Sequence, residues 1–138
     1  MRRTLLRSRR EGMTLVEIMI SLSIIGIVMT VLLVNVVGYL DSANQDATRI
    51  TIRRVEDALM VYSSKHKGKY PSSSDGIAAV KNLLTNEEVP QDAWGRDFIY
   101  VSPGTHGNHP YEIISLGKDG QEGGEGANAD IQSWALNE

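Results

Sequence analysis

From Ile18 to Leu40 the chain carries no charged side chain, and these 23 residues show no polar face at the 3.6-residue repeat of a helix. At 1.5 Å per residue, a helix of this length reaches about 34 Å, enough to cross a hydrocarbon layer of about 30 Å. Past Leu40 the pattern changes without a break signal. Ala43, Ala47, Ile50, Val55, Ala58, Leu59 and Tyr62 recur at spacings near three and four, with Arg49, Arg53, Arg54, Glu56 and Asp57 between them. No proline precedes Pro71, so one helix is predicted from about Thr14 to about Lys65, roughly 75 Å long. Its first half suits a bilayer, and its amphipathic second half suits packing against a small head.

HKGKYPSSSD (66–75) breaks the helix with Gly68 and Pro71 and reads as a loop. Gly76 to Leu84 reads as a short amphipathic helix, with Asp75 as its cap. DFIYV (97–101) and YEIIS (111–115), rich in aromatic and β-branched residues, read as strands of a hairpin closed by SPGTHGNHP. The tail, GKDGQEGGEGANADIQSW, is glycine-rich and acidic and reads as a loop. The predicted class is α+β: a long N-terminal helix packed on a small antiparallel sheet, followed by this loop. The division is a leader (1–12), a membrane helix (13–40) and one head (41–138) that includes the second half of the helix.

Charge sharpens this picture. Met1 to Gly12 hold five arginines against one acid, whereas Asp41 to Glu138 hold 15 acids and nine bases. Arginines ahead of an apolar span keep that end in the cytoplasm, so the acidic head of this single-pass chain should face the periplasm or exterior. An acidic head lacks the cations that neutralise phosphates, which argues against nucleic acid as a partner. There is no cysteine, so no disulfide can hold this small exported head, and a metal is worth seeking. A secretory signal peptide would have a shorter apolar core and a small-residue cut after it. A plain membrane anchor is allowed by hydropathy alone.

Glu17 sits at the threshold of the apolar run, where a carboxylate is expensive and calls for a partner. With Gly12 and Met13 before it, the pattern of glycine, an apolar residue, Thr, two aliphatics and Glu resembles the prepilin peptidase site of type IV pilins and pseudopilins. The resemblance implies cleavage between Gly12 and Met13, methylation of the new amino terminus at Met13, and pairing of Glu17 with that amine on a neighbouring subunit of a homopolymer. Removing one partner of such a buried pair costs about 3 to 5 kcal/mol. The bland alternative is an interfacial glutamate with no role.

WGRDFIYVSPGTHGNHPYEIISLGKDGQEGG contains, in order, a Trp-Gly pair, a Pro-Gly-x-His-Gly turn and a Ser-x-Gly-x-Asp-Gly segment. This order resembles the type II secretion major pseudopilins, with departures at Val34 and Ala93, where that family usually has proline, and in a shorter stretch from Leu84 to Trp94. Between Leu116 and Ile131, hard oxygen donors alternate with glycines, a composition open to calcium or to a merely solvated acidic loop. The resemblance implies a structural calcium, with Asp119 and Asp130 as leading side-chain ligands, Asn128 next, and the Leu116 and Lys118 carbonyls as backbone donors. Glu122 and Glu125 are weaker candidates. It also implies a pilin-like fold, a non-enzymatic role in a periplasmic pseudopilus that helps export folded proteins, and prepilin peptidase, an inner-membrane assembly platform and minor pseudopilins as partners. A type IV pilus subunit for adhesion, motility or DNA uptake is the rival reading. His106 and His109 read as turn residues, Trp94 and Trp134 as packing, and no catalytic constellation is evident.

Overall fold

The computed structural model describes residues 12–136, so the predicted leader, apart from Gly12, lies outside the described residues. Helix α1 covers Leu15–Lys65. Its start follows from Thr14, whose Oγ1 accepts the Glu17 N–H at 3.2 Å while its carbonyl accepts the Ile18 N–H at 3.2 Å, the arrangement of an N-cap. Its end is a tight turn in which Gly68, at φ 83°, donates to the Ser63 carbonyl at 2.9 Å.

The chain divides into two compact units, Met1–Val37 and Gly38–Glu138. In the first, the apolar side chains from Leu15 to Leu33 are all exposed. The hydroxyls of Ser21, Ser23 and Thr30 donate back to carbonyls four residues earlier, at 2.7 to 2.9 Å. These donors are therefore satisfied within the helix, which makes the surface compatible with lipid.

In the second unit, α1 contributes Thr48, Ile52, Val55 and Leu59, spaced as one helical stripe and all fully buried. They cluster with Ala58, Ile77, Val80, Tyr100, Ile113 and Ile131. Val55, Ala58, Leu59 and the half-buried Tyr62 face the core as expected, whereas Ala43, Ala47 and Ile50 are exposed and Thr48 and Ile52 are buried in their place. The difference is confined to the first turns of this segment, where the head covers Thr48 and Ile52 and leaves Ala47 and Ile50 outside.

Three antiparallel strands follow: β1 (Ile99–Val101), β2 (Glu112–Ser115) and β3 (Ile131–Gln132), in the order β1-β2-β3. Register places Tyr100 opposite Ile113, and Ser115 opposite Ile131, on the core face. The hairpin is as expected, though its strands are shorter. β3 lies inside what reads as a loop, since two residues cannot display a period. The segment Ile77–Leu83 is a 3₁₀ helix, not an α-helix. Only Ile77 and Val80 are buried there, and their three-residue spacing matches that tighter winding. Nor does Asp75 cap it. Its carboxylate accepts from Ser72 N–H at 3.2 Å and Ser72 Oγ at 2.5 Å, closing a turn, and these bonds hold the carboxyl below its ordinary pKa.

Candidate functional site

Gly12 and Met13 precede α1 and are exposed, so the peptide bond between them is accessible. Glu17 lies in the first turn, where the positive end of the helix dipole favours a carboxylate. Among the described residues its carboxylate has no side-chain partner. An apolar helix long enough to span a membrane, whose first-turn acid has no partner among the described residues, is suited to meet a cation carried by another chain.

The C-terminal loop between β2 and β3 folds back on itself. Lys118 N–H donates to the Ala127 carbonyl at 3.0 Å, and Gly120 N–H donates to the Leu116 carbonyl at 3.1 Å. Gly117, at φ 61°, permits this closure, since a Cβ there would lie 2.8 Å from the carbonyl oxygens of Asn128 and Ala129. Asp119 accepts the Gln121 N–H at 3.1 Å, and Asp130 Oδ2 accepts the Gly123 N–H at 3.0 Å. Asp130 Oδ1 is buried and has no hydrogen-bond partner among the described residues. The Lys118 ammonium is turned to Asp41 on α1 at 2.9 Å.

These facts bear on the predicted ligands. Leu116, Lys118, Asp119, Asn128 and Asp130 all lie on the two paired arms. No group of three His, Cys, Asp or Glu side chains converges among the described residues, which disfavours a zinc-type site. It does not disfavour calcium, whose ligands include carbonyls. The buried, orphaned Asp130 oxygen is the observation that fits a cation, because an unpartnered buried carboxylate oxygen is costly. Leu116, Glu122 and Asp130 also line one cleft of about 380 Å³, so Glu122 sits better than its sequence position suggests.

Three residues that sequence reasoning passed over brace this loop and its neighbour. Asp92 is buried. Its Oδ1 accepts the N–H groups of Trp94 at 3.0 Å and Arg96 at 2.9 Å, and its Oδ2 accepts Ser115 Oγ at 2.7 Å. Arg96 then extends Nη1 to the Gly117 carbonyl at 3.0 Å and lies against Gly120, where a Cβ would come within 2.6 Å of its Nε. The Asp-x-Trp-Gly spacing was a readable sign of an Asx-type turn.

Glu112 gave no such sign, because a glutamate on the outer face of a strand normally meets water. Here the β1–β2 loop folds over it. Thr105 Oγ1 donates at 3.0 Å, the His106 N–H donates a short bond, and the His106 ring lies 3.3 Å away while stacking on Trp134 at 4.6 Å. Burial pushes the Glu112 carboxyl up, but the bonds from His106 and Thr105 outweigh it and leave the group below its ordinary pKa.

A single long N-terminal helix with an acid in its first turn, packed through its second half on a three-stranded antiparallel sheet, defines a pilin-like subunit. Residues 35–134 match the family model of Type II secretion system (T2SS), protein G, and residues 7–33 match the prokaryotic N-terminal methylation motif. The chain belongs to this protein G family, the major pseudopilins, and is a structural subunit of the type II secretion pseudopilus. It is similar to Type II secretion system core protein G of Vibrio cholerae, at 34% identity over 93% of this chain and 94% of that protein. The protein of the same description from Pseudomonas aeruginosa is 32% identical over 93% of this chain and 97% of its own length. The crystal structure of the major pseudopilin from the type 2 secretion system of enterohaemorrhagic Escherichia coli superimposes with a TM-score of 0.56. It shows 26% identity and covers 72% of this chain and 94% of that one. The family match selects the secretion reading over the pilus one.

Proposed function

We propose that this chain is cut after Gly12, methylated at Met13 and polymerised from the inner membrane into a periplasmic filament that helps folded proteins leave the cell. The observation that carries this reading is the methylation-motif match over residues 7–33, which falls on an accessible Gly12–Met13 bond and, four residues later, on Glu17, whose carboxylate has no partner among the described residues. During assembly the Met13 amine of one chain would neutralise Glu17 of another, removing two charges from lipid together. Prepilin peptidase, the assembly platform and minor pseudopilins are the partners this requires. The head would lie in the periplasm, since the arginines lie on the other side of the span.

Calcium is the cation that best fits the C-terminal loop, held by Asp119 and Asp130 with Asn128 and the Leu116 and Lys118 carbonyls. When bound it supplies positive charge to the orphaned Asp130 oxygen. The chain's own residues keep the two arms paired and direct the Lys118 ammonium away toward Asp41.

Glu17→Val tests the assembly step. The variant should insert and be trimmed normally yet give few or no filaments and little secretion. Normal filaments from this variant would sink the reading, because the valine side chain offers no charge to pair with the Met13 amine.

A further inference from the structure

We infer that a lysine-lined cleft at the far end of α1 receives the acidic C-terminal loop of a second copy, so that heads stack head to tail along the filament. The inference rests on the pseudopilus reading and deepens it by naming the contact between heads.

The cleft has a volume of about 440 Å³ and is lined by Lys65, Lys67, Lys69, Tyr62, Tyr70 and Asp75, among others. All three lysines are exposed, and among the described residues none has an ion pair. Asp75, the acid on its wall, is committed to Ser72. Helix-end lysines always gain something from the helix dipole, but three within five residues, around an aromatic-walled hollow, exceed that need and suit an anionic loop.

The matching charge lies at the other end of the same helix segment. Lys118 binds Asp41, and Gln45 Nε2 donates to the Gly126 carbonyl, so the loop is tied to α1 near residues 41–45. Roughly 30 Å of helix separates Gln45 from Lys65. Glu122 and Glu125 are exposed on this loop and have no ion pair among the described residues. With Asp119 and Asp130 assigned to the cation, Glu125, and Glu122 at the rim of the Asp130 cleft, are the exposed acids left for a neighbour.

Opposite charges at opposite ends of one head dictate the kind of contact. An antiparallel two-fold dimer would also set acid against base, but copies whose arginine-rich ends all stay on one side of the membrane share one orientation, and among parallel copies only a translated one brings acid to base. That contact is heterologous and does not close, which is the geometry of a filament. A second copy is therefore the occupant favoured by charge complementarity.

The test uses the full chain, expressed with its secretion machinery. Lys67→Glu with Lys69→Glu, and separately Glu122→Lys with Glu125→Lys, should each lower the assembled fraction about tenfold, and the four-residue swap should restore it to within about twofold. A role of the glutamates in metal binding could not be rescued from the lysine side. Because the chain has no cysteine, Lys67→Cys with Glu122→Cys should give an oxidation-dependent ladder in filaments, absent for Asn82→Cys with Glu122→Cys. If the swap assembles no better than its parents, or if one-sided reversals assemble like wild type and no ladder forms, the proposal is overturned. The same holds if only the lysine reversals matter, since the cleft then serves another partner. Failure of the unmodified chain to form filaments would instead sink the pseudopilus reading.

Discussion

Removing the Asp92 carboxylate should loosen the head more than any single apolar truncation at its edge. In Asp92→Ala, two backbone N–H groups and the fully buried Ser115 hydroxyl lose a charged acceptor at 2.7 to 3.0 Å. Bonds to a charged group are worth about 1.5 to 3 kcal/mol each. They are not additive here, because water can reach the half-buried Trp94 and Arg96 amides. A loss of about 3 to 5 kcal/mol is expected, dominated by the stranded Ser115. For a head of this size each kcal/mol shifts Tm by about 4 to 8 °C, so thermal unfolding of a fragment beginning at Gly38 should move down by roughly 12 to 40 °C. Asp92→Asn keeps an oxygen for the two amides, and Ser115 can rotate to accept from the new NH₂, so its cost should be about 1 to 2 kcal/mol. Amide exchange at Gly117 and Gly120 should also quicken in the alanine variant, since Arg96 reaches that strand end from the turn Asp92 holds. An alanine variant within about 1 kcal/mol of wild type would refute the account of Asp92 as the brace.

Two further outcomes follow from the loop regions. Chelation should lower the Tm of the wild-type head, whereas Asp130→Ala should show the same Tm with calcium and with chelator; a wild-type head indifferent to calcium would exclude the metal assignment. Glu112 sets a pH limit on the β1–β2 loop. Its folded pKa is depressed below 4.5, so its contribution is fully present above that value and is lost as pH falls through the folded pKa. The Tm of the head should therefore fall as pH drops below 4.5, and Glu112→Gln should remove that acid transition. An unchanged acid transition in the Gln variant would assign it to other carboxylates.

Much of the architecture was legible because it depends on long, repetitive signals. A run of 23 uncharged residues and a helical period without proline specify α1 almost to its ends, and Thr14 and Gly68 mark them. The hairpin showed itself through two β-rich runs and a turn. Misplaced features were those with short or ambiguous signals: β3, with two residues, the 3₁₀ winding at Ile77–Leu83, and the buried face of α1 ahead of Val55, where Thr48 and Ile52 are buried and Ala47 and Ile50 are not.

The sequence alone determined which stretch is long and apolar enough to cross a membrane, where the chain resembles a cleavage site, and which loop is rich in oxygen donors, because each of these is a property of neighbouring residues. Only the tertiary structure decided which side chains share a space. It paired Asp92 with Ser115 across 23 positions and Arg96 with Gly117 across 21. It also hid Glu112 beneath its own hairpin and left one oxygen of Asp130 buried and unpartnered. The reason is physical: burial and partnering of a carboxylate depend on atoms brought together by folding, and local composition carries no record of that distance.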